Sequence, residues 1–117
     1  MTSFKPCPDK PNCVSSQAED ARHSISPLAV KKSSDWPKSV IDVLSSVRGI
    51  TVTDVNDDYI HAECRSLIFR FVDDLELLWD SRKSICQVRS ASRVGHSDLG
   101  VNRRRVEKIR KLLQKIQ

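Results

Sequence analysis

Apolar and polar residues alternate through the middle of the chain, which is the pattern of β-strands that bury one face. Residues 50–55 alternate in this way, and the Asn-Asp-Asp segment at 56–58 has the composition of a turn. A second strand is predicted to start at Tyr59, because the residues that follow it alternate again. A loop at 80–84 and a returning strand at 85–91 complete a predicted run of antiparallel strands.

Two irregularities interrupt the alternation. Before the first, the apolar positions are Ile60, Ala62 and Cys64. After it, they are Leu67, Phe69 and Phe71. A period of two cannot absorb this change of parity, so we predict a bulge or a bend at Arg65-Ser66. We predict a second irregularity at Asp73-Asp74, before a further strand with apolar residues at Leu75, Leu77 and Trp79.

Two other segments carry apolar residues at helical spacing. In the first, the apolar face consists of Trp36, Val40, Val43, Leu44 and Val47. Ser34 or Asp35 is its predicted cap, Pro37 suits its first turn, and Gly49 is the expected left-handed residue at its end. The second helix is predicted to begin at an N-cap, Asn102, and its apolar stripe is Val106, Ile109, Leu112, Leu113 and Ile116.

These elements predict an α+β protein. Residues 1–24 contain three prolines and are expected to form an irregular N-terminal arm. Residues 25–31 are a candidate edge strand, because Pro27 lacks a backbone donor. Residues 25–117 are expected to fold as a single domain, with about four to five antiparallel strands and two helices packed on one face of the sheet, the second helix being C-terminal.

Composition narrows the class of protein. The chain has 117 residues, of which 30% are charged and 38% hydrophobic, which is typical of one soluble globular domain. Its net charge of +5 makes it basic and invites a nucleic-acid interpretation. No apolar run approaches the roughly 20 residues that span a bilayer, and no signal peptide is visible. We therefore predict no membrane span and a cytoplasmic location. Nucleic acid is an unlikely partner, because the basic residues also suit a solvated helix face.

Four cysteines leave alternatives open. Cys64 and Cys86 lie in apolar strand patterns and are expected to be small buried hydrophobic residues. Cys7 and Cys13 lie in a proline-rich loop, where they can be free thiols or can close a small disulfide, although a reducing cytosol opposes the bond. A metal site needs further ligands, and the three histidines are scattered, so no metal and no cofactor is predicted.

The most distinctive stretch is RSASRVGHSDLGVNRRRVE at 89–107, which holds five arginines and the start of the last helix. Three of the arginines are consecutive at the positive end of that helix, where the helix dipole favours an anion. Either internal carboxylates pair with them in a structural network, or an anionic ligand binds at the helix start. The predicted network carboxylates are Asp73, Asp74, Glu76 and Asp98.

This stretch resembles the domain of unknown function 1499 family, as do CPDKPNCVSS at 7–16 and YIHAECRSLIFRFVDDLEL at 59–77. The resemblance covers nearly the whole chain. It implies no established biochemical activity. Because relatives include exported and organellar proteins, it leaves the compartment and the redox state of Cys7 and Cys13 open. The family-like positions fall on the charged network and are Arg65, Asp73, Asp74, Arg89, Ser90, Ser92, Arg93, Asp98, Asn102 and Arg103.

Three hypotheses follow. The first is a non-enzymatic binding or accessory module with a surface for a small anionic ligand or an acidic partner protein. Its candidate residues are Arg65, Arg89, Ser90, Ser92, Arg93, Ser97, Asn102, Arg103 and Arg105. The alternative is a small enzyme that acts on a phosphorylated or carboxylated substrate, with Asp73, Asp74 or Asp98 as acid or base. The third is weak nucleic-acid binding. His61 and His96 are expected to be ordinary polar residues.

Overall fold

Six strands and two helices form in the part of the chain that this computed structural model describes, residues 3–31, 33–66 and 71–117. The strands are β1 (Cys13–Ser15), β2 (Leu28–Ala29), β3 (Ile50–Val55), β4 (Tyr59–Arg65), β5 (Val72–Asp80) and β6 (Ile85–Ser92). The helices are α1 (Lys38–Ser46) and α2 (Val101–Ile116), and a short 3₁₀ turn at Ser33–Asp35 precedes α1.

The strands form one antiparallel sheet in the order β1-β6-β5-β4-β3, and β2 pairs with β6 beside β1. The four strands β3 to β6 are consecutive neighbours, as short connections between antiparallel strands favour. Both helices pack on one face of the sheet: α1 lies against β3, α2 lies against β6 and β1, and the helices contact each other. The predicted α+β class is confirmed, including the C-terminal position of the second helix.

The core lies between the helices and this face of the sheet. Its largest fully buried side chains include Leu28, Leu44, Ile60, Leu75, Leu77 and Ile109. The apolar stripe predicted for α2 points into this core through Val106, Ile109 and Leu113. None of the helices in the described ranges is long and apolar enough to cross a membrane.

The start of α1 differs from the prediction. Ser34 and Asp35 belong to the 3₁₀ turn, and Pro37, which follows a cis peptide bond, occupies the N-cap without a side-chain cap in the described part of the chain. Trp36 explains the change, because its indole stacks on Trp79 with ring centroids 5.8 Å apart and donates a hydrogen bond to the Asp57 carbonyl. These tertiary contacts fix the chain before the helix begins.

The N-terminal arm is not wholly irregular, as residues 1–24 were predicted to be. β1 lies within it and pairs with β6, Cys13 opposite Ala91 and Ser15 opposite Arg89. The three residues of β1 contain no proline, so their backbone donors are free to join the sheet. In the predicted strand at 25–31, only β2 forms, on the far side of Pro27.

The two predicted irregularities also have different outcomes. Asp73 and Asp74 lie inside β5 in regular register, opposite Cys64 and Glu63, so the prediction of a break there was wrong. The predicted bulge at Arg65-Ser66 cannot be followed further, because β4 ends at Arg65 and residues 67–70 lie outside the described ranges. The observed shift of register lies instead in β3, between Val52 and Asp54.

Candidate functional site

Alternation along the strands divides the predicted site residues between the two faces of the sheet. On the face that carries the helices, Asp73 lies opposite Ser92, and Ser90 follows on the same strand. On the other face, which we call the open face, Glu76 lies opposite Arg89, and Asp74 lies opposite Glu63. The structure therefore does not gather these residues into a single site.

Asn102 is the centre of the polar group on the helix-bearing face. Its side chain is fully buried, and its carbonyl oxygen accepts hydrogen bonds from Ser90 Oγ at 2.7 Å and from Arg105 Nη1 at 2.7 Å. Its amide nitrogen donates to three acceptors, Ser92 Oγ, Asp98 Oδ2 and the carbonyl of Asn12. This one side chain therefore joins α2 to β6 and to the arm.

Asp98, rather than Asn102, caps α2. Gly100 occupies the N-cap with a φ of 81°, and the Asp98 carboxylate accepts hydrogen bonds from the backbone nitrogens of Gly100 at 2.7 Å and Asn102 at 3.2 Å. An anionic acceptor at the positive end of a helix is the favourable arrangement. The prediction of Asn102 as the cap was wrong, because its side chain is turned inward to Ser90 and Ser92.

Each of the three consecutive arginines has its own set of partners. Arg105 reaches Asp73, with Nη2 2.8 Å from Oδ2, and both side chains are about nine-tenths buried. Arg103 donates to the backbone carbonyls of Ser24 and Arg22, and Arg104 donates to the carbonyl of Leu99. The predicted pairing with an internal carboxylate is therefore present at Arg105. Arg103 and Arg104 instead bond backbone carbonyls of the arm and of the loop before α2.

The open face carries a second polar group, centred on Glu76. Tyr59 donates its hydroxyl hydrogen to Glu76 Oε2 at 2.8 Å, and Arg89 Nη1 lies 3.5 Å from Glu76 Oε1. Burial, together with the neighbouring Glu76 carboxylate, raises the pKa of Tyr59. The Arg89 side chain is only 10% exposed, and its Nε has no hydrogen-bond partner among the described residues.

Beside this group, His61 connects a carboxylate to a hydroxyl. Its Nε2 lies 2.8 Å from Asp74 Oδ1, and its Nδ1 lies 2.5 Å from the hydroxyl of Thr53 at the irregular position of β3. Arg93 bonds both oxygens of Asp74, at 2.8 and 2.9 Å, and also reaches Glu63 at 2.9 Å. These hydrogen bonds from Arg93, opposed by partial burial and assisted by His61, lower the pKa of Asp74.

A cleft of about 630 Å³ lies between the arm and the open face. Lys5, Pro6 and Pro8 form the arm wall, and the residues of the sheet wall include Tyr59, His61, Asp74, Glu76 and Arg89. A disulfide joins Cys7 of the arm to Cys13 of β1 and holds this wall in place. Disulfides persist mainly in oxidising compartments, so this bond does not support the predicted cytoplasmic location, which stays a prediction.

A smaller pocket of about 250 Å³ lies between the end of α1 and the start of α2. Its lining includes five basic residues, which define what we call the basic pocket: Arg48, Arg65, Arg104, Arg105 and Lys108. No carboxylate is among the described residues that line it. Within the described ranges the side chains of Arg48 and Lys108 have no hydrogen-bond or ion-pair partner, and the Arg65 side chain has one distant contact, with Nη2 4.0 Å from Glu63 Oε1.

Gly49 shapes one side of the basic pocket. Gly49 was predicted to follow the C-cap of α1 directly. The C-cap is Val47, so the helix ends one residue earlier than predicted, and Gly49 lies two residues beyond the cap with a φ of +90°. Its carbonyl accepts the backbone hydrogen of Arg65, and a Cβ at this position would lie 2.6 Å from the Arg65 carbonyl oxygen. Glycine therefore permits the close approach of β3 and β4 that places Arg48 beside Arg65.

Of the residues predicted to bind a ligand, Arg65 and Arg105 line the basic pocket. Arg89 lines the cleft, Arg93 lies beside it, and Ser97 accepts a hydrogen bond from the Leu99 backbone in an exposed loop. Their role as ligand-binding residues stays a prediction. Sequence reasoning did not select Arg48, Lys108 or Thr53, although the structure places the first two in the basic pocket and the third beside His61. One feature of the sequence could have indicated the pocket. Gly49 follows α1 and begins the turn into β3, and its hydrogen bond with Arg65 at the end of β4 brings Arg48 close to Arg65.

Most of the chain matches the model of a known protein family. The model of a protein family with the description "Protein of unknown function (DUF1499)" matches residues 3–113. This range includes the cleft, the basic pocket and the polar group around Asn102. No curated protein matches the chain.

Proposed function

Because the chain belongs to the DUF1499 family of proteins of unknown function, we propose a function from geometry alone: it is a non-enzymatic module that binds a small anion in the basic pocket. The single observation that carries this proposal is the charge of the pocket lining. Five basic residues line it, and the described lining residues include no acidic one. Arg105 is neutralised by Asp73, but Arg48 and Lys108 have no such carboxylate in the described ranges. Cations placed close together favour an anionic ligand, because it relieves their mutual repulsion.

The larger cleft is a weaker candidate for an anion. Its arginine already has a carboxylate partner, because Arg89 faces Glu76, and Arg93 beside it is bonded to Asp74 and Glu63. An anion there would have to compete with the protein's own carboxylates. In the basic pocket Arg105 is likewise paired with Asp73, but the side chains of Arg48 and Lys108 have no partner among the residues that the structure describes.

The size and donors of the basic pocket favour a compact oxyanion. A volume of about 250 Å³ accommodates a phosphate or carboxylate group with a small substituent. Guanidinium groups such as Arg48 and Arg65 offer paired donors that match these groups in a bidentate arrangement. Val101, the first residue of α2, also lines the pocket, so the positive end of the helix dipole adds to the same attraction.

The test is calorimetric titration with inorganic phosphate, glycerol phosphate and acetate. We compare the natural protein with the double variant Arg48→Gln/Lys108→Gln, and with a control of equal charge, Lys111→Gln/Lys115→Gln, whose changes lie elsewhere on α2. The natural protein and the control should bind one of these anions saturably. The pocket variant should bind it about tenfold more weakly or worse, because it loses charge-assisted hydrogen bonds. Equal affinities for both double variants, or no binding of any anion, would overturn the proposal.

One observation favours an enzymatic second candidate, the series Thr53–His61–Asp74. A hydroxyl, an imidazole and a carboxylate in hydrogen-bond contact can activate the hydroxyl as a nucleophile, with His61 as the base and Asp74 as its orienting partner. The substrate class would be an ester of a phosphorylated or carboxylated molecule. We rank this candidate second because Thr53 is exposed and Arg93 already bonds both oxygens of Asp74.

This candidate is tested with an activated ester such as p-nitrophenyl acetate. If the series acts as an enzyme, His61→Ala abolishes turnover above background, while His96→Ala, a change in an exposed loop, leaves it intact. Equal rates for the two variants would exclude the series as catalytic machinery. The phosphate titration is independent of this result, because His61 does not line the basic pocket.

A further inference from the structure

Leu99 is a large apolar side chain that the fold holds in solvent. It is 82% exposed, and its φ is +54°, a left-handed conformation that a leucine adopts at an energetic cost. Residues kept in such conformations are concentrated at ligand clamps and functional loops. A second apolar residue of the same loop, Val94, is 56% exposed.

The loop around Leu99 is tied down at several points. The backbone nitrogen of Leu99 donates to Ser97 Oγ at 3.2 Å, and that of Asp98 donates to the Pro11 carbonyl at 3.2 Å. Arg104 donates from Nη1 to the Leu99 carbonyl at 2.9 Å. The exposed leucine is therefore presented by a fixed backbone rather than by a loose one.

Arg104 also links Leu99 to the basic pocket. Its side chain lines that pocket, together with Val101, while its guanidinium bonds the Leu99 carbonyl. An exposed apolar residue and a cluster of cations are therefore joined through one arginine. A free phosphate in water uses only the cations and gives no role to Leu99.

We propose that the basic pocket and Leu99 together form a docking surface for an anionic phospholipid membrane. This inference rests on the proposed function, because the pocket takes the phosphate of a lipid headgroup while Leu99 enters the acyl region beside it. A phospholipid carries both chemistries in one molecule. Basic residues and an apolar insertion are each a weak membrane signal, and stable attachment takes such signals in combination.

The test measures co-sedimentation with phosphatidylcholine vesicles, with and without phosphatidylglycerol. The key variant is Leu99→Gly, which removes the apolar side chain and suits a positive φ, so the fold is retained. A thermal melt verifies this, because Leu99→Gly should unfold at the natural temperature or above it. Val55→Ala is the matched control, because Val55 is 45% exposed and lies at the end of β3.

The expected result is binding to the vesicles that contain phosphatidylglycerol and not to phosphatidylcholine alone. Leu99→Gly should weaken this binding about tenfold, the scale of one buried leucine side chain. Arg48→Gln/Lys108→Gln should weaken it as well, and added salt should weaken the charged component. Val55→Ala should bind like the natural protein.

Other outcomes overturn the inference. If Leu99→Gly binds the vesicles as tightly as the natural protein does, the contact is purely electrostatic and Leu99 has no part in it. Binding of glycerol phosphate without binding of vesicles would leave the proposed function standing and overturn only the membrane. Binding of polyglutamate without binding of vesicles would assign the surface to an acidic protein partner instead. If neither anions nor vesicles bind, both proposals fail.

Discussion

Arg105 and Asp73 form an ion pair across the interface between α2 and β5, with Nη2 2.8 Å from Oδ2 and side chains that are 11% and 10% exposed. Removing one partner of such a pair leaves a buried charge without compensation. We expect Arg105→Met to lower the free energy of unfolding by about 3–5 kcal/mol, measured by urea denaturation.

Two controls accompany this variant. Arg104→Met removes an exposed neighbouring arginine and should change stability by about 0.5 kcal/mol or less. The double variant Arg105→Met/Asp73→Leu removes both charges and should recover much of the loss, because no charge is left unpaired. If Arg105→Met costs no more than Arg104→Met, the pair does not hold the helix on the sheet.

Asn102 is the second position whose replacement should be costly. In Asn102→Leu, the buried Ser90 hydroxyl and the Arg105 guanidinium lose their acceptor, Asn102 Oδ1, while the Asn12 carbonyl keeps the hydrogen bond from the Ser92 backbone nitrogen. Each unsatisfied buried group costs about 1–3 kcal/mol, so we expect a loss of about 3 kcal/mol or more in the unfolding free energy. Asn56→Leu, in an exposed turn, is the control, and equal melting curves for the two variants would refute the prediction.

The cysteines give a prediction that needs only thiol titration. Burial raises the pKa of Cys64 to about 11 and that of Cys86 to about 12, and Cys7 and Cys13 are joined. Because thiolates are the reactive species, the native protein at neutral pH should react with Ellman's reagent at none of its four cysteines. Denaturation should expose the pair of free thiols, and reduction before denaturation should expose all four. Rapid reaction of the native protein with the reagent would contradict either the burial of Cys64 and Cys86 or the Cys7–Cys13 disulfide.

Asp74 should make stability depend on pH in the acid range. Hydrogen bonds from Arg93 hold its pKa below the ordinary value of 3.8 in the folded protein. A carboxyl with a depressed pKa stabilises the folded state above its unfolded pKa, and this contribution is lost as the pH falls through the folded value. The stability difference between the natural protein and Asp74→Asn should therefore be largest at neutral pH and should shrink below about pH 4.

The measurement is urea denaturation of both proteins along a pH series, with Arg93→Gln as a third sample. Arg93→Gln removes the main cause of the pKa shift. The difference in unfolding free energy between Arg93→Gln and Asp74→Asn should therefore depend less on pH. If the unfolding free energies of the natural protein and Asp74→Asn differ by the same amount at every pH in the acid range, the Asp74–Arg93 ion pair does not contribute to stability.

Local patterns predicted most of the fold and little of the site. Strands such as β4 bury every second residue, so alternation alone identified them, and the stripe of α2 was equally clear. Asp73 and Asp74 looked like a break, because carboxylates are rare inside strands. Their partners, Arg105 and Arg93, are distant in sequence, and only the folded chain brings them together.

The basic pocket shows the same limit for function. Arg48 follows α1, Arg65 ends β4, and Lys108 lies on α2, so no sequence window contains the set. The arginines of 89–107 were conspicuous because they are adjacent in sequence. In three dimensions they separate, and Arg104 and Arg105 line the basic pocket with Arg65 and with two residues that no local pattern singled out, Arg48 and Lys108.

The place of β6 in the sheet has a consequence for the pairing of the arm. β6 pairs with β5, β1 and β2, and its partners in the arm precede it by most of the chain. The strands β3 to β6 each pair with a neighbour in sequence, whereas β1 takes its strand partner, β6, from residues 85–92. The Cys7–Cys13 bond spans a sequence separation of 6 and needs no sheet to form. The pairing of β1 therefore depends on a strand that lies much later in the chain, whereas the ring closed by the disulfide does not.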